Sequence, residues 1–415
     1  MAIILILPLL WDIKYHDADS IHCGISNYGP ILIDFEWPKG SGQYHLFAGG
    51  IWFGAIPSDT AVTVGYDPMS GGSEFVPGLC RQGTTAYQNP YVRIYIYPED
   101  WPPPKDTFPM APDTTLTYED SWCCLNDGDS SAHSAFPLGI EIYQSGYADT
   151  GCPNTIFITS TIKNTTIRPL IGHIGILIDP DIGDPDDDCY SLYRNRWLPS
   201  PIKPDTFYID ILPFAYDHDW WEAGWYHPGA VGITPIETPE NLGATAVMAF
   251  LTEADPDSDG EQFLLLKGID PKTGDSIGFK PGPVGPGDVR LLLGSGPFQL
   301  DPGSTTRFAF GVVFAYDTLA LAWQAKLARD FYYHHVSVGE AYRHEVLSDR
   351  IATITRGKLM IGSWERIEIY DPTGRLIYKR DHPPRTIDLP LPAGIYFLRL
   401  KKPGQFCSSK VIIIH

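Results

Sequence analysis

The feature that most constrains this 415-residue chain is how often its backbone is interrupted, because 40 glycines and 38 prolines are spread along it. Glycine loses the most freedom on ordering, and proline lacks the amide hydrogen and clashes inside a helix, so long helices need far fewer of both. Hydrophobic residues make up 43% and aromatics 13%, enough to fill sizeable cores. Many short strands joined by tight turns satisfy both facts.

Strand signals recur throughout. Tyr91–Tyr97 and Ile156–Ile162 alternate with period 2, whereas Ile171–Ile178, Ala244–Leu251 and Phe308–Ala315 are apolar on both faces. The second kind suits central strands of a sandwich. Asn27–Pro30, Trp101–Pro104 and Pro281–Gly287 supply turn chemistry between them. One helix is expected, from about Thr318 to Tyr333. Asp317 and Thr318 are good caps, and Leu319, Trp323, Leu327 and Phe331 recur every four residues along one face. Packing of that face against the sandwich would close the first domain.

Net charge is −20, which argues against nucleic acid as a partner, since phosphate binding needs clustered Lys and Arg. The acidity is uneven. From Val338 onward 13 Lys/Arg face 8 Asp/Glu, whereas the preceding residues hold 17 against 42. This sign change marks a domain boundary. The expected fold class is all-β: an N-terminal strand or export-signal remnant over 1–20, and an acidic β-sandwich region over 21–335. A linker over 336–357 then leads to a small Ig-like β-sandwich over 358–415. No stretch reaches the roughly 20 apolar residues of a membrane-spanning helix. Residues 2–10, Ala-Ile-Ile-Leu-Ile-Leu-Pro-Leu-Leu, read either as a signal core or as a strand that pairs in a neighbouring subunit and drives self-assembly. The cysteines, Cys23, Cys80, Cys123, Cys124, Cys152, Cys189 and Cys407, include no C-x-x-C pair, so a zinc ribbon or thioredoxin-type site is not expected.

At the C-terminus, Glu365–Tyr370 and Arg375–Lys379 flank the turn Asp371-Pro-Thr-Gly374. Gly394–Leu400 and Lys410–Ile414 supply two further strands. Three blocks in this order, Ile369-Tyr-Asp371 with Gly374-Arg-Leu-Ile377, Leu391–Leu400, and Lys410–Ile414, resemble the type A C-terminal sorting domain of the type IX secretion system of Bacteroidetes. The resemblance implies delivery to the outer-membrane secretion machinery through residues 358–415, and an extracellular or cell-surface location. The Asn-Pro-rich entry usual in that family is missing before Met360. The acidic part resembles uncharacterised β-rich proteins carrying such domains, through Tyr44–Ala55, Pro137–Tyr143 and the 179–188 loop, and that likeness implies no activity.

Three constellations carry potential chemistry. Asp179-Pro-Asp181-Ile-Gly-Asp184-Pro-Asp-Asp187-Asp188 holds six carboxylates in ten residues. They repel one another unless solvated or neutralised, and calcium takes six to eight such oxygens. Asp255-Pro-Asp257-Ser-Asp259-Gly260 matches the first half of an EF-hand loop, but its twelfth position is Leu266, which cannot ligate. Calcium and an Asp-rich turn are both open there. Tyr216–His227 packs Trp220, Trp221 and Trp225 among acids and histidines. Exposed, the indoles would form a sugar-stacking platform, with Asp217, Asp219 and Glu222 as glycosidase acids or His218 and His227 as zinc ligands. Buried, they would be core anchors. Familiar catalytic fingerprints are absent from the sequence. The expectation is therefore a structural or adhesive surface protein, in one version a fibre subunit, with a carbohydrate-binding or glycoside-cleaving protein as the alternative.

Overall fold

The computed structural model describes residues 11–337 apart from 57–59, 81–88 and 90, together with most of 354–413. The chain divides into two compact units, Met1–His335 and Val336–His415. The expected N-terminal strand over residues 2–10 lies outside the described residues.

The first unit is two antiparallel sheets. Its strands are β1 (Ile13–His16), β2 (His22–Ser26), β3 (Pro30–Glu36), β4 (Tyr44–Ala55), β5 (Ala61–Val64) and β6 (Val76–Pro77). There follow β7 (Tyr95–Ile96), β8 (Glu119–Asn126), β9 (Ile140–Ala148), β10 (Thr155–Asn164) and β11 (Leu170–Pro180). Then come β12 (Asp188–Pro199), β13 (Thr206–Asp217), β14 (Ala230–Glu237), β15 (Ala246–Leu251), β16 (Val289–Leu300) and β17 (Thr305–Ala315). The first sheet runs β1-β2-β3-β4-β11-β16-β15, with β5 beside β4. The second runs β12-β13-β14-β17-β10-β9-β8-β6, with β7 beside β8. The all-β class expected from the glycine and proline pattern is the one observed. Of the expected strand Tyr91–Tyr97, only Tyr95–Ile96 pairs.

Strand periodicity explains the layers. On β10, Ile156, Ile158 and Ile162 point between the sheets into a core shared with Ile174, Ile176 and Ile178 of β11 and Phe310 and Val312 of β17. Phe157 points the other way, under the helix α2 (Thr318–Phe331), where it stacks on Phe331 at 6.0 Å. Asp317 caps α2 by accepting from the Ala320 amide. Its buried face is Leu321, Ala322, Ala325 and Ala328 rather than the four-residue series read from the sequence. Small residues let the helix axis approach the sheet closely. The larger series flanks the contact, Trp323 edge-on to Phe207 at 5.0 Å and Leu327 exposed.

A second helix, α1 (Asp259–Leu266), begins inside the EF-hand-like segment. Ser258 caps it, and Phe263, Leu265 and Leu266 are buried with Trp52, Val62 and Leu177 on the outer face of the first sheet. Gly54 permits this approach, because a Cβ there would lie 2.7 Å from the Phe263 ring. The six described cysteines are free thiols, five of them buried. In the formal sequon Asn164-Thr-Thr166, the buried Asn164 amide donates to the Arg168 and Leu300 carbonyls and accepts from the Thr166 amide.

In the second unit, β18 (Ile354–Thr355), β20 (Arg366–Tyr370), β21 (Leu376–Asp381), β23 (Gly394–Lys402) and β24 (Gln405–Ile413) form a sheet ordered β18-β24-β23-β20-β21. β19 (Lys358–Met360) pairs with β22 (Thr386–Asp388). The expected hairpin across Asp371–Gly374 is the β20–β21 pair.

Candidate metal centre

The acidic loop and the aromatic-acidic segment, separate in sequence, meet at one end of a strand pair. β12 starts at Asp188 and β13 ends at Asp217, and the register sets Asp188 directly opposite Asp217. Both are fully buried. Like charges facing each other across a strand pair are destabilising, and burial adds a desolvation cost. Asp188 Oδ2 accepts from the Ile182 amide at 3.0 Å, and Asp217 Oδ1 from the Trp221 amide at 2.9 Å. The other oxygen of each has no partner, and neither does Asp187 Oδ1.

The turn Pro185–Asp187 places Asp187 beside this pair. Its N-cap is Asp184, whose side chain accepts from the Asp186 amide at 3.1 Å. Beyond β13 the chain turns back so that Glu222 Oε1 accepts from the Asp184 amide at 2.9 Å. Gly183 makes room for it. A Cβ at Gly183 would fall 2.2 Å from Glu222 Cγ, and φ there is +78°. One carboxylate oxygen from each of Asp187, Asp217 and Glu222 lies within 4.8 Å of the other two. Two oxygens bound to one calcium ion at about 2.4 Å can be at most about 4.8 Å apart, so the three suit a single ion. All the donors are oxygens, which favours a hard cation over zinc or copper. Burial first, then the neighbouring carboxylates Asp184 and Glu222, raises the Asp187 pKa. Burial likewise raises Asp217 to about 6 and pushes Asp188 well above the carboxylate range.

The expected calcium ligands are thus redistributed. Asp187 and Asp188 belong to the centre, while Asp184 shapes it from an exposed position. Asp179 leaves it altogether. It pairs with Arg290 Nη1 at 2.6 Å and accepts from the Tyr66 hydroxyl at 2.5 Å. Asp181 is half-buried, raised to about 6 by burial and then by Asp288. In the second expected loop, Asp255 Oδ1 lies 3.6 Å from Arg290 Nε, in the same network as Asp288. Asp257 is exposed, and Asp259 accepts from the Val62 amide and the Ser134 hydroxyl. Those three carboxylates do not converge, because helix α1 begins where an EF-hand loop would continue to coil.

The indoles are divided too. Trp221 is 66% exposed, whereas Trp220 stacks on Tyr216 at 5.3 Å and Trp225 packs against the core beside His45. They do not line one groove. The two histidines also serve different neighbours. His218 Nδ1 is 3.6 Å from Cys189 Sγ, and His227 Nδ1 accepts from the Gly229 amide. Sequence reading missed Asp217 and Glu222 as cation ligands: Asp217 faces Asp188 through the β12–β13 register, and Glu222 is brought in by the turn after β13.

Fold and site define a two-sheet antiparallel β-sandwich protein with a carboxylate cradle at a strand-pair end. No family model matches the chain, and no curated protein does. Among solved structures it is similar to an amine oxidase of Aspergillus nidulans, at 12% identity and a TM-score of 0.36, over 73% of this chain and 51% of that one. The chain therefore spans about half the length of that enzyme. It is also similar to a putative aldose 1-epimerase of Klebsiella pneumoniae, at 10% identity and a TM-score of 0.38, over 76% of this chain and 83% of that one. An aldose epimerase homologue of C. elegans aligns at 8% identity and a TM-score of 0.35, over 73% and 99%. No residue role or activity is transferred from these proteins.

Proposed function

We propose that this chain is an exported carbohydrate-binding protein that engages sugars through a calcium ion held by Asp187, Asp217 and Glu222. The observation that carries the reading is the buried Asp188–Asp217 pair, each with one unpartnered oxygen, beside Asp187 and Glu222. A divalent cation offsets that charge. Three carboxylates leave part of its coordination shell open, since calcium takes six to eight oxygens, and vicinal sugar hydroxyls are suitable donors. Trp221, held by its amide on Asp217 and Asp219, supplies an exposed ring at the rim for stacking. Export rests on the sorting-domain resemblance of residues 358–415. The fibre version of the structural reading depends on residues 2–10, outside the described residues.

The test is retention of the full chain on cellulose, mannan and xylan with calcium or with EGTA. Retention on at least one polymer that disappears in EGTA and in Glu222→Gln is expected. Retention unchanged by EGTA, or none in calcium, overturns the proposal.

A further inference from the structure

The first sheet ends at β15, and one residue of that strand leaves its backbone unused. Val247 donates its amide to the Gly278 carbonyl and accepts from the Lys280 amide, both at 2.8 Å, so its polar groups face away from β16. Backbone groups two residues apart on a strand point the same way, and the β15–β16 register runs without a shift from Ala246 to Leu251. The Ala249 amide and carbonyl therefore also face outward. The chain's own neighbour stops short of them. Residues 278–280 make one parallel bridge, Val247 with Phe279, and the Lys280 carbonyl then accepts from the Tyr190 hydroxyl at 2.7 Å. Pro281-Gly-Pro283 leads the chain off to the Tyr190–Val284 bridge.

Ala249 is 3% exposed, and neither its amide nor its carbonyl has a hydrogen-bond partner among the described residues. Buried main-chain groups are nearly always paired, so an unpaired donor and acceptor on one buried residue mark a place where another chain can add. A cavity of about 320 Å³ opens beside them, lined by Met248, Phe250, Leu251, Ala254, Leu265 and Val284 among others. Glu253, Asp270, Lys272 and Lys280 line it as well and cancel in charge, so an uncharged occupant fits it best.

We propose that this edge receives residues 2–10 of a second copy of the chain as an added strand, with main chain paired to Ala249 and an apolar side chain in the cavity. That segment is apolar throughout and carries no charge, and its β-branched Ile3, Ile4 and Ile6 suit a strand. One residue of an antiparallel strand opposite Ala249 satisfies both of its groups. The segment precedes β1, which lies at the opposite edge of the same sheet, six strand spacings from β15. At about 4.8 Å each these amount to about 29 Å, and nine extended residues reach about 30 Å, so within one molecule none would be left to pair. Each copy then offers one segment and, at the far edge, one acceptor. Such a contact is head-to-tail and builds open chains of molecules rather than a closed pair. The edge is independent of the cation centre.

Sedimentation of the full chain over a concentration series, in EGTA, tests this apart from the cation reading. Species that grow with concentration are expected. Three variants should each weaken self-association about tenfold or more. I4D/I6D puts charge on the donated segment. Ala249→Pro removes the outward amide and leaves the β16 ladder alone, since proline is tolerated where a strand's N–H faces away from its sheet. Ala254→Phe fills the cavity without changing the backbone, and it decides the matter where Ala249→Pro does not melt cooperatively. A full chain that stays monomeric overturns the proposal, and so does I4D/I6D that assembles as wild type does. Assembly lost in I4D/I6D but unchanged in folded Ala249→Pro and Ala254→Phe places the segment on another surface and also overturns it.

Discussion

A carboxylate such as Asp217, buried opposite a second aspartate, is a residue whose replacement by an amide has opposite effects with and without an ion. In EGTA, Asp217→Asn removes a buried charge that faces Asp188, so the variant should melt higher than wild type. In calcium the order should invert, because the ion binds only the native state and stabilises by about 2.7 kcal/mol at one hundred times its dissociation constant. Calorimetric melts in both buffers check this, and a variant less stable than wild type in both would refute the cradle. Gly183→Ala tests the geometry from the other side. It forces a side chain into the left-handed region and into Glu222, at a strain of about 1–3 kcal/mol, and calcium affinity by titration should fall. Asn164 makes a simpler case. Its sequon is legible in sequence, yet its amide is consumed by Arg168, Leu300 and Thr166. Asn164→Ala should cost about 2–3 kcal/mol by denaturant melt, since buried backbone groups lose their partners.

At the scale of elements, the ends of β11, β15 and β16 meet at Arg290, whose guanidinium contacts Asp179, Asp255 and Asp288. Burial outweighs Arg290 and raises Asp179 to about 7 and Asp255 to about 6. A carboxyl whose folded pKa lies above its unfolded value destabilises the fold while ionised. That cost is relieved as pH falls through the folded pKa and is gone below the unfolded one. These groups therefore make stability rise as pH falls from about 8 to 5, and Asp179→Asn should show a shallower slope over that window in thermal melts. Most strands were legible because period-2 alternation and doubly apolar runs are local properties of Ile156–Ile162 or Phe308–Ala315. The short pairing of Tyr95–Ile96 was not, because a partner strand decides how much of an alternating run is used. Nor was the face of α2. The sheet selects Leu321, Ala322, Ala325 and Ala328 for close approach, and a four-residue repeat cannot show that Leu327 stays outside. The cation centre was half legible. Carboxylate density marked Asp187 and Asp188, but Asp217 joins them through cross-strand pairing with Asp188, about thirty residues away in sequence, and Glu222 through the turn after β13.

For the whole molecule, the charge reversal near Val338 coincides with the division into two units after His335. A chain ending at residue 335 should keep a single cooperative melt and its calcium response, and aggregation of that truncation would show that the units share a core. The thiols give the first unit a further property. Burial raises Cys80 to about 12 and Cys152 to about 11, and holds Cys23 and Cys124 well above the ordinary thiol range. Alkylating reagents attack the thiolate, so the buried Cys23, Cys124 and Cys152 should stay silent towards iodoacetamide until the sandwich opens. The protein thus carries its own clock. The rate at which label accumulates on each cysteine reads how often, and in which part of the two sheets, the fold comes apart, without any probe having to be introduced.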